Sequence, residues 1–443
     1  MTFQDDDQAT PPPSADREAD PLAVFRHDRL PSWALVRHRM DPAEIEDIDA
    51  AVNGALEPVA DRLPSGQRAC LALGSRGIDR IAEVARAMVG TLRARGLEVF
   101  AVPAMGSHGG ATAEGQLAVL ASLGIREETI GCEIRSSMET VQVGEVEHGV
   151  PVFVDRHAID DADLVIPINR VKPHTDFSGP VESGLLKMIA IGLGKQRGAD
   201  TFHGEGFATF ARLIPAVAAV TLERIPIPFG LALLENGHAR IRRIEAVPAA
   251  TMFEREQELL VEADRYLARL PVAALDVLVL DRIGKDVSGL GMDSNVVGRY
   301  YTGPTGRGPA IQRIVVRDLT DETEGNAVGI GMADVVLRRA AERMETARTY
   351  MNCITAKTPE GARIALTVDT DRQALDVAIA CCLKVHAETA RIVRLLDTKN
   401  LEWFYATEPL LAELAAGGSC EVAGPLIPIG LDAGGRLTDP LPG

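Results

Sequence analysis

From Arg68 onward, short uninterrupted apolar runs alternate with longer stretches in which apolar residues recur every three or four positions. A continuous apolar run of four to eight residues fits a strand buried on both faces, and the longer spacing fits one face of a helix. The pattern predicts strands over 69–74 and 98–105, followed by helices over 79–95 and 112–123 respectively. That alternation favours a parallel sheet with crossover helices. Paired β-rich runs over 141–155 around His148-Gly149 predict a hairpin. The run 163–169 reads as a buried strand opening into a polar loop over 170–180. Helices are predicted over 181–191, 207–224 and 251–270, with a hairpin around Asn236-Gly237. At Leu270-Pro271 the pattern restarts, with strands over 276–281, 311–318, 364–368 and 391–396 and an amphipathic helix near 333–344. The expected architecture is therefore two α/β domains with mostly parallel sheets, 22–270 and 271–443, behind a leader segment 1–21.

Composition narrows the functional classes. The 443 residues suffice for two or three domains at roughly 150 residues each. Apolar residues make up 46% and charged residues 25%, which is ordinary globular usage and excludes disorder as the main state. With 63 acidic against 46 basic residues and a net charge of −17, the chain is repelled by phosphate backbones and anionic membranes. Aromatics at 4% also argue against a base-stacking surface, so nucleic acid binding is excluded as a main role. No apolar run approaches the ~18 residues of a membrane span. Six cysteines without a Cys-x-x-Cys pair form neither a disulfide framework nor a zinc knuckle and suit a reducing compartment. The segment 1–21 carries six acids and Pro11 to Pro13, which predicts a disordered acidic tail rather than a signal peptide. The expected location is the cytoplasm.

Four segments place reactive residues where strand-to-helix turns are predicted. The first is Met105-Gly-Ser-His-Gly-Gly-Ala-Thr-Ala-Glu-Gly-Gln116. Gly106, Gly109 and Gly110, with Ser107 between, permit close backbone approach, and the helix that follows offers free N–H groups to a phosphate. His108 stands at the crown; a plain glycine turn with an incidental histidine is the alternative. The second is Asn169-Arg-Val-Lys-Pro-His-Thr-Asp-Phe-Ser-Gly-Pro180, where His174 is placed for acid/base work with Arg170 and Lys172 as nearby cations; a solvated loop is the alternative. The third is Glu182-Ser-Gly-Leu-Leu-Lys-Met-Ile-Ala-Ile-Gly-Leu193. A lone lysine in an apolar run, Lys187, is either a usable nucleophile or attachment point, or a residue snorkelling to water. Ser183, four residues earlier, would share its helical face and make a Ser/Lys hydrolase dyad geometrically possible. The fourth is Lys195-Gln-Arg-Gly-Ala-Asp-Thr-Phe-His-Gly-Glu-Gly206, in which His203 is either a helix-terminal histidine or a nitrogen ligand for a transition metal. Three of the nine histidines and the isolated lysine thus fall in glycine-bearing turns of one predicted domain, which points to one shared site.

The ordered set S-H-G-G-A-T-A-E-G-Q, N-R-V-K-P-H-T-D-F, E-S-G-L-L-K-M-I-A-I-G-L-G-K and T-F-H resembles the nickel-dependent lactate racemase superfamily, including its members of unassigned substrate. The resemblance implies an active site in the cleft between two α/β domains and a nickel-pincer nucleotide, a nicotinic-acid-derived mononucleotide holding nickel through sulfur, carbon and sulfur. By motif position it makes Lys187 the covalent attachment of that cofactor, His203 the nickel's protein ligand, and His108 and His174 the acid/base pair on opposite faces of a 2-hydroxy acid. Inversion of such a centre needs a base on each face, which two histidines supply near neutral pH. The glycine turn with Ser107, and Lys172, become cofactor contacts. Cofactor-biosynthesis proteins become implied partners.

One segment departs from the family pattern. Where lactate racemases carry an Asp-x-x-Arg-Pro type motif after the first strand, this chain has Leu73-Gly-Ser-Arg-Gly-Ile-Asp-Arg80. Arg76 stands for the arginine, and the aspartate is missing. The expected substrate is therefore a 2-hydroxy acid other than lactate. A hydrolase using Ser183 and Lys187 or a His-bound metal, and a non-catalytic carrier of nucleotide or nickel, are the competing readings. From the second domain Lys285 is the expected contributor to the cleft, with Asp293, Asn295 and Arg299 as further candidates for fixing substrate groups. Together Arg76, Arg170, Lys172, Lys187 and Lys285 would form a basic island suited to a carboxylate and a phosphate.

Overall fold

The computed structural model describes residues 20–75, 77–301 and 306–442. A six-stranded sheet runs in the order Glu133–Ile134, Glu98–Pro103, Arg68–Leu73, Leu164–Arg170, Phe229–Glu235, Ile241–Pro248, parallel throughout except for its last strand. Arg68–Leu73 shows why the apolar runs are continuous: Cys70 and Ala72 enter one core while Ala69, Leu71 and Leu73 enter the other. Ile48–Leu56 and Ile81–Ala94 cover the second of these faces, and Phe207–Arg224 and Met252–Tyr266 cover the first. The hairpin Thr140–Val146 with Val150–Asp155 turns at His148 and Gly149, both at positive φ.

Strand order places the site. Chain order runs outward from Arg68–Leu73 to Glu98–Pro103 on one side, whereas Leu164–Arg170 lies on the other. The loops after these three strands therefore part at a topological switch point, where open α/β sheets leave a crevice beyond the strands' carboxyl ends. Ser75, His108 and His174 stand in those three loops.

A second, nine-stranded sheet is built largely from residues after 270, parallel from Leu366–Val368 through Val335–Leu337, Ala310–Val316 and Ala274–Leu280 to Ile392–Asp397. Asn400–Thr407 then pairs antiparallel with Ile392–Asp397 and with Ser32–His38. A strand from the start of the chain is thus built into the sheet of the other half, across the division expected at 270. The predicted tail lies outside the described residues over 1–19; Asp20 already accepts a hydrogen bond from Gln373 Nε2 at 2.6 Å.

Two predicted helices are corrected. Near 333–344 the chain forms the strand Val335–Leu337 and then the short helix Arg338–Glu342. Val335 and Val336 pair with Val315 and Val316 inside the buried sheet, where periodicity alone cannot separate a strand from a buried helix. Over 181–191 the helix begins only at Leu185, as Leu185–Lys187, and continues as a π-helix Met188–Gly192. Gly184 is extended, and a Cβ there would sit 2.3 Å from Glu256 Oε1. A carboxylate wedged against the backbone stops the helix from starting earlier. All six cysteines are free, and no helix among the described residues is long and apolar enough to cross a membrane.

Candidate active site

The loop after Leu164–Arg170 carries His174, which is 8% exposed. Its Nδ1 accepts from the Asp176 amide at 3.0 Å and lies 3.6 Å from Asp176 Oδ2, which turns Nε2 toward Lys187. Lys187 Nζ lies in hydrogen-bond contact with that Nε2. The Phe177 ring lies tilted against the imidazole, centroids 4.4 Å apart, and its centroid is 5.9 Å from Lys187 Nζ. Phe210 follows, 5.5 Å from Phe177 and 5.7 Å from the His203 ring. An aromatic wall thus joins His174, Lys187 and His203.

His203 occupies the last turn of helix Lys195–Glu205, so the helix-terminal reading of its position is correct. The metal reading survives alongside it. Nδ1 is buried with no hydrogen-bond partner, and burial, with the nearby charge of Lys187 second, holds the ring below the usual histidine pKa. A neutral imidazole with an unsatisfied nitrogen is the form a transition metal binds. Among the described residues no group of three or more His, Cys, Asp or Glu could hold a metal ion. A bare ion therefore lacks donors here, whereas a metal arriving with its own sulfur and carbon donors needs only one from the protein. The residues fit a group of that kind.

His108 is exposed, and its Nδ1 contacts Ser75 Oγ across the switch point. The glycine turn beneath it is fixed from inside. Gln116, fully buried, donates from Nε2 to Gly106 O at 2.9 Å, and its Oε1 accepts from Lys195 Nζ at 3.1 Å. Lys195, also fully buried, pairs with Asp155 at 2.8 Å. Gly109 has φ +69°, and a Cβ on it would stand 2.4 Å from the Gly115 carbonyl carbon. The Gly106 amide donates to Gly192 O at 3.2 Å, which seats the His108 turn against the π-helix that follows Lys187. The Ala111 amide donates to Ser107 O at 3.2 Å, and Thr112 Oγ1 takes the Gly115 amide at 3.0 Å, so part of the expected anion cradle is used within the turn.

The remaining candidates divide. Lys172 pairs with Asp293 at 3.5 Å, and Asn295 Nδ2 donates to His174 O at 3.2 Å, so the second half does reach the His174 loop. Lys285 Nζ donates to Gly289 O and Asn352 Oδ1 at 2.9 and 3.1 Å. Arg299 is held by Asp334 at 2.6 Å and Met332 O at 2.7 Å, a structural anchor within its own half. Arg170 pairs with Glu235, so the basic island of the sequence is in good part compensated by acids. Arg76 lies outside the described residues. Ser183 sits before the helix, its backbone bridged to Lys172, so the shared helical face that a Ser183/Lys187 dyad requires does not form.

Sequence reasoning passed over Glu182, Glu256 and Arg307. Glu182, 1% exposed, accepts from the His174 amide at 2.6 Å. Glu256 Oε2 accepts from the Leu186 amide at 3.0 Å, directly before Lys187. A signal existed for Glu256: it falls on the buried stripe Met252, Glu256, Leu259, Ala263 of its helix, the one acid at a core position. Arg307 had none.

Residues 69–210 match the family model of the lactate racemase N-terminal domain, and no curated protein matches the chain. Among solved structures, the lactate racemase apoprotein from Thermoanaerobacterium thermosaccharolyticum is similar at 13% identity and TM-score 0.49, covering 85% of this chain and 94% of that one. A structural-genomics protein from Thermotoga maritima is similar at 18% identity and TM-score 0.46, covering 61% of this chain and 70% of the other. Residues 69–210, the span similar to the lactate racemase N-terminal domain, are those that carry His108, His174, Lys187 and His203.

Proposed function

We propose that the protein is a cytoplasmic racemase or epimerase of a 2-hydroxy acid other than lactate, carrying a nickel-pincer nucleotide on Lys187. The observation that carries this reading is the juxtaposition of Lys187 Nζ with His174 Nε2 on the aromatic wall that also holds His203. Lys187 would hold the group covalently through Nζ, and His203 would donate its lone pair to the nickel. When bound, the cofactor supplies a carbon that accepts and returns hydride. The chain's own part is placement and proton handling. His174 would face the substrate hydroxyl with Nε2, since Nδ1 is engaged by the Asp176 amide. His108, oriented at Nδ1 by Ser75, does so with its own Nε2 for the opposite enantiomer.

The test is co-expression with cofactor-making enzymes, followed by nickel analysis and mass measurement of the Lys187 peptide. Nickel and an added mass on that peptide are expected, with inversion of one member of a panel of 2-hydroxy and aldonic acids. Absence of both, in a preparation that loads a known lactate racemase, refutes the assignment. Loss of turnover with retained mass in His108→Ala or His174→Ala excludes a mere carrier.

A further inference from the structure

We infer that Glu182 and Arg307 form an interdomain latch that positions His174, so that the acid/base face at Lys187 is assembled only while the second half is docked on the first. Glu182 is 1% exposed, and within its own half it accepts from the His174 amide at 2.6 Å, Ser178 Oγ at 3.0 Å and the Gly179 amide at 3.2 Å. A carboxylate buried on such terms is costly unless a cation joins it. That cation comes from across the cleft: Arg307 places Nη1 and Nη2 at 3.1 and 2.9 Å from the two carboxylate oxygens, while its Nε lies 3.0 Å from Asp264. A guanidinium held at three nitrogens has one orientation. The same half also takes the other side of the loop, through Asn295 Nδ2 on His174 O at 3.2 Å and Ser294 Oγ on Thr175 O at 2.6 Å. The His174 residue is therefore clamped at its N–H through Glu182 and at its C=O through Asn295, with its ring turned by the Asp176 amide. Glu182 and Arg307 touch no reacting atom and act through His174 as positioning residues.

Hydrogen exchange on the full chain without cofactor tests the latch. In Arg307→Met and in Glu182→Gln, the peptide spanning His174 to Gly179 should exchange roughly tenfold faster or more, the factor expected for losing a charge-assisted bond. The neighbouring strand Leu164–Arg170 should be unchanged, and Arg307→Lys, which keeps the charge and loses the fork, should fall between. Unchanged exchange in the loop, or equal acceleration in loop and strand, overturns the latch. A second arm rests on the proposed racemase function: in loaded protein, Arg307→Met should lower kcat while the Lys187 peptide keeps its added mass. Loss of that mass instead would assign the contact to Lys187 and overturn the positioning of His174. If no form of the protein ever loads, the proposed function fails, and the exchange experiment still decides the latch.

Discussion

Replacing Glu256 by Gln should make the protein relatively more stable as pH rises, and the size of the effect follows from where the carboxyl sits. Glu256 is fully buried on Met252–Tyr266, with Oε2 on the Leu186 amide and Oε1 buried without a hydrogen-bond partner. Burial pushes its pKa from 4.5 up to about 7, against the pull of the Leu186 and Leu185 amides. Between these values the folded protein holds a proton that the unfolded chain has released, so the stability slope with pH is negative there. The contribution from protonation is present at low pH, declines as pH rises through the window, and is gone above the folded pKa. Integrating from pH 5 to pH 8 gives a loss of roughly 2–3 kcal/mol attributable to this one group. Glutamine keeps an oxygen for the Leu186 amide and cannot titrate. Its own packing cost is the same at every pH and cancels in the comparison.

The assay is chemical denaturation of wild type and Glu256→Gln at pH 5, 6, 7 and 8, reading the difference in unfolding free energy between the two proteins. That difference should shift in favour of the variant by roughly 2–3 kcal/mol across the series, with most of the change below pH 7. A difference that stays flat within ~0.5 kcal/mol would show that the carboxyl titrates alike in both states. The reasoning about its burial beneath the Lys187 helix would then be wrong.

Removing Lys195 as Lys195→Met should cost about 3–5 kcal/mol, because it leaves Asp155 charged and buried, and it should free the His108 turn through Gln116; denaturation and exchange in the glycine turn read both. Because burial and, second to it, the Lys187 charge depress the His203 pKa, Lys187→Gln should move the His203 NMR titration midpoint upward, and a downward or absent shift contradicts their proximity. Gly109→Ala forces a side chain into φ +69° and into contact with Gly115. It should destabilise by about 1 kcal/mol or more and displace His108, measured as a lower Tm together with faster exchange of the turn.

Much of the first half was readable because its strands are buried on both faces. In Ala69 to Leu73 every residue enters one core or the other, so the sequence shows an unbroken apolar run that the turn residues delimit. The His108, His174 and Lys187 segments stood out for a related reason: polar residues at the ends of such runs fall beyond the strands, where the switch point opens. Ser32–His38 gave no comparable signal about its place. Its partner Asn400–Thr407 is far away along the chain, and pairing over that separation leaves no local pattern to read. Val335 to Leu337 failed differently, since a short buried strand feeding directly into a helix has the apolar density of either element.

The groups that arrange the catalytic candidates were harder to see than the candidates themselves. Histidines and an isolated lysine carry their chemistry in their identity, whereas Glu182, Glu256 and Arg307 matter only through the partner each meets. The segment around Lys187 makes the point. Read alone, E-S-G-L-L-K-M-I-A-I-G is an apolar helix that puts Ser183 beside Lys187. The insertion of Glu256 against Gly184 starts the helix two residues later than Ser183, gives the Leu186 amide its acceptor, and turns Lys187 toward His174 instead. A contact from a helix some seventy residues onward thus keeps Ser183 off the helical face of Lys187, and Gly184 is the residue whose missing side chain admits it.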